Sequence, residues 1–460
     1  MATRKPRYLS RLLFFVVPVG LIFLGVASFR SGPAPLVEIR PTMPGIGKRT
    51  PVEVSVDEPV RGLSRVRVEL VQGKTVETLE ERAYTPRAPW QFWGPRIPRE
   101  DMVIDVGSET IKGLKEGEAT IRVVADRAGA WLRRPEPGQQ ELTLTVKLRP
   151  PSLQVQSLHT YVSQGGSETV VYRVGETAVK DGVRAGEWWF PGYPLPGGHE
   201  SDRFALFSMP YDMEDASGLR LVAMDDVGNE SSADFVDRAS TKPIHKDTIR
   251  LSDSFMQRVV PAILEQTPEV EDRGDLLQNY LAINGDLRHA NTRTLIALAE
   301  ASPPEFLWNK SFVPMRNGMV MSGFADRRTY TYGGEPVDQQ DHLGFDLAST
   351  ARAEIQAAND GVVVLARYFG IYGNCVVIDH GYGLLSLYGH LSTIAVEEGQ
   401  SVQRYEAIGS SGMTGLAGGD HLHFSMLLRG LAVNPKEWWD GHWIQDRLKL
   451  KLGAGLPFEP

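Results

Sequence analysis

"GGDHLHFSM", residues 418–426, decides how the chain is read, because its two histidines, His421 and His423, flank a single leucine. In an extended strand, residues two apart project from the same face, so both imidazoles would enter one volume while Leu422 faces the core. Ten histidines in 460 residues produce roughly 0.2 such pairs by chance. The pair is therefore a pointer, and its meaning depends on which other donors reach it.

Six of the ten histidines follow residue 341: His342, His380, His390, His421, His423 and His442. "DHLGFDLAS" sets His342 and Asp346 four apart, and Gly344 with the "GFDLA" pattern predicts an extended segment on which the two share a face. Two imidazoles and one carboxylate are the donors that catalytic zinc takes while leaving a fourth position for water. Cys375 is the only cysteine, which excludes an internal disulfide and a closed thiolate zinc site. In "NCVVID" it reads as a small buried hydrophobe. "LLSLYGHL" alternates up to a glycine and predicts a strand delivering His390 at its end, where a loop meets a cleft. His380, beside Gly381, and His442, in "GHWIQ", read as structural. No H-E-x-x-H motif supplies a glutamate base, so a histidine with a pKa near neutral is the suitable proton acceptor.

His342-x-x-x-Asp346, "YGHLS" and "HLHF", in that order, resemble the lysostaphin-type, or LytM-like, zinc metallopeptidases of metallopeptidase family 23. "GVVVLA", "GNCVVIDHGYGLLSLYGHLS", "GSSGMTG" and "VNPKEW" extend the resemblance over about 312 to 440, under a third of the chain. It implies an antiparallel β peptidase domain like the duplicated hybrid motif, with the site in a groove on one sheet. It implies His342, Asp346 and His423 as zinc ligands, and His390 and His421 as the catalytic pair. The implied substrate is a stem peptide or peptide cross-link of peptidoglycan. Ser425 departs from the pattern, since many relatives carry an acidic residue there. The glycines of "GSSGMTGLAGGD" can form a groove-edge loop that an extended peptide approaches closely. The rival within the family is a non-catalytic regulator that binds and activates a cell-wall amidase. Such relatives lack several ligands, whereas this chain has the full set.

Outside that region the chain is expected to be mostly β. From 36 to 148, "VEVSV", "VRVEL" and "LTLTVKL" alternate with period two between Gly and Pro turns, which predicts a β-sandwich module. A second β module is expected over 152–238, where "AMDDVGN" resembles the last-strand turn of immunoglobulin-like domains, so that both modules are read as immunoglobulin-like. Residues 252–305 change to a helical period carried by Leu276, Leu277, Tyr280, Leu281, Leu287, Leu295 and Leu298. This reads as a connector that proposes no chemistry, and Pro261 should break or kink its first helix. The peptidase domain is placed at 312–445.

Arg4, Lys5, Arg7 and Arg11 precede an uncharged run from Leu12 to Phe29. About 18 apolar residues can cross a hydrocarbon layer, and the basic flank predicts a cytoplasmic tip. Residues 1–30 are thus expected to form a single-pass anchor in a bacterial inner membrane, with the catalytic domain in the periplasm or extracytoplasmic space. A cleaved signal peptide ending at "VAS" is the competing reading. A net charge of −8 provides no basic field for nucleic acid. Trp90, Phe92 and Trp93 are candidates for a partner or glycan surface, and equally for turn and core packing.

Overall fold

The computed structural model describes residues 7–29, 32–88, 91, 94–129 and 135–459. The chain is mostly β, with few helices, and divides into two compact units: Met1–Pro151 with Met224–Glu230, and Ser152–Ala223 with Ser231–Pro460.

In the first unit a helix runs over Arg7–Phe29 and contains Pro18. The side chains described are those of residues 14–26, among which Phe14, Phe15, Ile22 and Phe23 are exposed. Among the described residues no helix is long and apolar enough to cross a membrane. The following strands form sheets of three and five. Alternation decides their packing: Val52, Val54 and Val56 face inward from Thr50–Asp57, and meet Val66 and Val68 of Leu63–Gln72 with Ile121 and Val123 of Gly117–Arg127. The strands expected from period two are present, and their inward faces share one buried cluster. The aromatic candidates Trp90, Phe92 and Trp93 lie outside the described residues. The "AMDDVGN" turn is held by Asp225, whose Oδ1 accepts from the backbone N–H of Val227 at 3.0 Å and of Asn229 at 2.8 Å.

In the second unit, the segment expected as a separate module builds two four-stranded sheets and a two-stranded parallel pair, but it does not close a core of its own. Tyr172, Phe204 and Phe207 belong to the same buried cluster as Trp308, Tyr382, Phe424 and Trp438. The Phe204 ring lies 5.2 Å from Tyr382 and 6.2 Å from Phe306. Polar contacts follow the same seam: the backbone N–H of Ser167 donates to Glu437 at 2.6 Å, and buried Glu168 pairs with Lys451 at 3.0 Å. Small modules gain stability by sharing an interior, because a larger unit buries a greater fraction of its apolar surface.

The connector is helical as its period predicts, with one correction. Asp253–Gln266 continues through Pro261. The carbonyl that proline leaves unpaired belongs to Gln257, which is exposed to water, while Met256, Val259, Val260 and Ile263 bury the opposite face. Ser252 caps the helix by accepting from the Phe255 N–H. Leu276–Ala282 and Arg288–Glu300 are joined through a π turn at Ile283–Leu287.

The C-terminal domain is built on one antiparallel sheet in the order Met319–Ser322, Phe345–Ala348, Leu422–Leu428, Leu384–Leu391, Asn374–Asp379, Gly361–Tyr368 and Ser401–Val402. Leu422–Leu428 and Leu384–Leu391 are buried along their whole lengths. Beside this sheet, Lys246–Arg250 pairs in parallel with Asp326–Tyr332, which in turn pairs with Glu335–His342.

Candidate functional site

His423 sits on the central strand Leu422–Leu428, directly across from Asp346 on one side and Gly389 on the other. Paired residues on adjacent strands present side chains to the same face, so His423 and Asp346 meet above the sheet. His342 reaches them by a route the sequence pattern did not predict. It ends Glu335–His342, whereas Asp346 lies on Phe345–Ala348, in a different sheet. The expected shared strand is broken at Leu343-Gly344, where the chain turns the corner between the sheets. Glycine is required there, because a Cβ at 344 would stand 2.6 Å from the Ser425 hydroxyl and 2.7 Å from the His423 ring.

Three donor atoms converge at this corner. His342 Nε2 lies 2.9 Å from Asp346 Oδ1 and 3.1 Å from His423 Nδ1, and His423 Nδ1 lies 3.1 Å from Asp346 Oδ1. Second partners decide the tautomers. His342 Nδ1 is 2.8 Å from the Gly323 carbonyl, which can only accept, so the proton is on Nδ1 and Nε2 carries a lone pair. Ser425 Oγ donates to the Leu343 carbonyl at 2.7 Å and therefore accepts from His423 Nε2 at 3.0 Å, which leaves a lone pair on Nδ1. Burial opposes ionisation of Asp346, but its contacts with His342, His421 and His423 outweigh that and hold its pKa well below the ordinary carboxylate range. Burial also pushes the His423 pKa down to about 4, so a proton is a poor filling for the space. Two nitrogen lone pairs and an anionic oxygen facing one another at these distances could hold a metal ion between them. Donors around a tetrahedral zinc stand roughly 3.3 Å apart, so the residues fit that metal.

His390 and His421 flank the triad. His390 is buried near the end of Leu384–Leu391, with φ +64°, a left-handed conformation uncommon for a non-glycine residue. The cause is an extra residue in its strand, where the pairing with Asn374–Asp379 shifts register beside it. His421 precedes the central strand and bridges to Gly412. Each imidazole is oriented through Nδ1, by the carbonyl of Thr414 at 2.8 Å for His390 and of Gly419 at 2.9 Å for His421. Their rings are 4.9 Å apart. Burial, with neighbouring imidazoles, lowers His390 well below its ordinary pKa. Burial would lower His421 too, but the hydrogen bond and charge of Asp346 override it and raise the pKa.

The five residues line a cavity of about 400 Å³. Part of its lining comes from the connector, through Phe255, Tyr280, Asn284 and Arg288, which the sequence reading left without chemistry. Leu416 and Gly418 of the glycine-rich loop also line it. Arg328, likewise missed, places Nη2 2.9 Å from the second oxygen of Asp346. Nothing in "DRRTYTY" links it to a carboxylate in another sheet, and the helical leucine spacing reports a buried face without saying what it covers. His380 is buried and bonded at both nitrogens, to the Asp360 carbonyl and Ser386 Oγ, each at 2.7 Å. His442 lies in the short helix Gly441–Trp443, under the Asp440 cap. Cys375 is buried, and burial pushes its thiol pKa upward.

An antiparallel sheet carrying an N,N,O donor set and two further histidines defines a metallopeptidase-type centre, and residues 340–435 match the family model described as Peptidase family M23. The C-terminal part of the chain carries a domain of that family. Among relatives, the chain is 33% identical over 171 residues to the peptidoglycan DD-endopeptidase ShyA of Vibrio cholerae, covering 37% of this chain and 36% of that protein. It is also 33% identical over 109 residues to the murein hydrolase activator EnvC of Escherichia coli, covering 24% and 26%. The crystallised catalytic domain of the antimicrobial peptidase lysostaphin from Staphylococcus simulans is 26% identical, with 27% of this chain and 92% of that one covered and a TM-score of 0.24. The chain spans little more than a third of ShyA and about a quarter of EnvC.

Proposed function

We propose that this chain is a zinc endopeptidase that cuts peptide bonds in the stem or cross-link peptides of peptidoglycan, held at the outer face of a bacterial inner membrane by residues 1–30. The observation that carries the reading is the set of unprotonated donor atoms of His342, Asp346 and His423, closed on itself at about 3 Å and flanked by two histidines whose Nδ1 atoms are held by backbone carbonyls. Zinc, when bound, polarises a carbonyl and makes water nucleophilic near neutral pH.

The chain's own residues do the rest. His390 and His421, which both line the cavity, share the work of accepting the proton of the attacking water, stabilising developing negative charge on the carbonyl oxygen and protonating the departing amine. The carbonyls of Thr414 and Gly419 keep both rings turned so that Nε2 does this work.

The similarity to EnvC supports a second reading, a non-catalytic activator of a wall amidase. The complete donor set favours the enzyme. Purified 31–460, zinc-loaded and chelated, would be incubated with purified peptidoglycan and the released fragments weighed by mass spectrometry. Zinc-dependent release of fragments gaining one water per cut supports the peptidase. No release, with stimulation of an added amidase, supports the activator.

A further inference from the structure

We infer that Arg288 is a specificity-determining residue that binds a free carboxylate of the peptide substrate close to the scissile amide; this rests on the peptidase reading above and names what its cavity selects. Three guanidinium groups, Arg250, Arg288 and Arg328, line the cavity, where Asp346 is the only carboxylate among the described residues. That is a local inversion of charge in a chain of net −8. Arg328 is committed to Asp346. Arg288 is built differently. Its Nε donates to the Asn284 carbonyl at 3.0 Å and its Nη2 to Asn284 Oδ1 at 2.7 Å, while Asn284 Nδ2 donates to Asp338 at 2.6 Å. Asn284 is fully buried, so this chain of contacts fixes the guanidinium plane. Among the described residues Nη1 has no hydrogen bond and Arg288 has no ion pair.

The local backbone serves the same end. Arg288 follows the π turn Ile283–Leu287, a widened helical turn of the kind that recurs at functional sites. Arg288 also lines a second cavity, of about 390 Å³, together with Tyr372, Gln340 and Leu343, and both cavities reach His423. A peptide crossing the metal ligands through both cavities passes the free edge of Arg288. A rigid, permanently charged guanidinium with unpaired N–H groups recognises a carboxylate by charge-assisted hydrogen bonds, and gains little from a neutral amide.

The test uses the whole zinc-loaded chain with purified cross-linked wall peptides, either unmodified or with their carboxylates converted to amides. Hydrolysis and equilibrium binding to the metal-free protein are both measured. Wild type should favour the unmodified peptides about tenfold or more in both. Arg288→Gln should raise KM far more than it lowers kcat and abolish the preference, and Arg288→Lys should restore part of it. Zinc stoichiometry and melting temperature report folding, and if the Gln variant unfolds, the Lys variant and the wild-type preference decide. Equal losses on both peptide forms, an intact preference in the Gln variant, or no preference in wild type would overturn the assignment. Absence of hydrolysis with an intact, Arg288-dependent binding preference would sink the peptidase reading and leave the subsite standing.

Discussion

Nδ1 of His423 stands 3.1 Å from Nε2 of His342, although 81 residues separate them in the chain. Both nitrogens are stripped of protons by partners on the far sides of their rings, which suits the pair to hold a cation. Substituting either histidine, or Asp346, by Ala should abolish stoichiometric zinc binding measured by elemental analysis. His421→Ala should keep about one zinc per chain while turnover falls roughly 100-fold or more. Loss of the metal from that variant would show that His421 is a ligand.

Ser425 orients His423 by accepting its Nε2–H and passing its own proton to the Leu343 carbonyl. Removing such an orienting partner typically costs a metal site 10- to 100-fold in affinity, so Ser425→Ala should weaken zinc by about that factor in a competition titration. An unchanged affinity would mean that the packing of Gly344 against the ring suffices to hold it.

Phe204 lies on a strand 138 residues before His342, yet its ring packs on Tyr382 of the C-terminal domain. Phe204→Ala should destabilise the second unit as a whole by about 3–5 kcal/mol. Denaturant unfolding followed through zinc release and through tryptophan fluorescence should shift together. Independent shifts would mean that residues 152–223 fold as a separate module after all.

Glu437, against the backbone of Ser167, has its pKa pushed up to about 8 by burial, from an ordinary value of 4.5. The folded chain therefore holds this proton over a range in which the unfolded chain has lost it. The sign follows: its contribution to stability is complete below about pH 4.5 and is lost progressively as the pH rises through about 8. Glu437→Gln, which keeps an acceptor for the Ser167 N–H, should flatten the fall in melting temperature between about pH 5 and about pH 9. Parallel pH profiles for the two proteins would exclude Glu437 as the titrating group.

Local patterns were legible because their physics is local. Period-two alternation in "VEVSV" and "VRVEL" states which face of a strand is buried, and the leucine spacing of 276–298 states the same for a helix. The order of "DHLGFD", "YGHLS" and "HLHF" was enough to nominate His342, Asp346, His390, His421 and His423, since side-chain chemistry and spacing are written directly in the chain. Gly344 was misread as part of a continuous strand, because its requirement comes from His423 and Ser425, which reach it only after folding.

The amino-acid sequence by itself therefore determined the secondary-structure periods, the donor types and the absence of a thiolate site. Tertiary structure alone decided which lone pairs face one another, that Arg328 binds Asp346, that Arg288 faces the cavity with a free edge, and that residues 152–223 share the interior of the C-terminal domain. The reason is range: periodicity and residue chemistry are properties of a few neighbouring positions, whereas a lone pair's direction and a guanidinium's partners are set by atoms that folding brings from tens to hundreds of residues away.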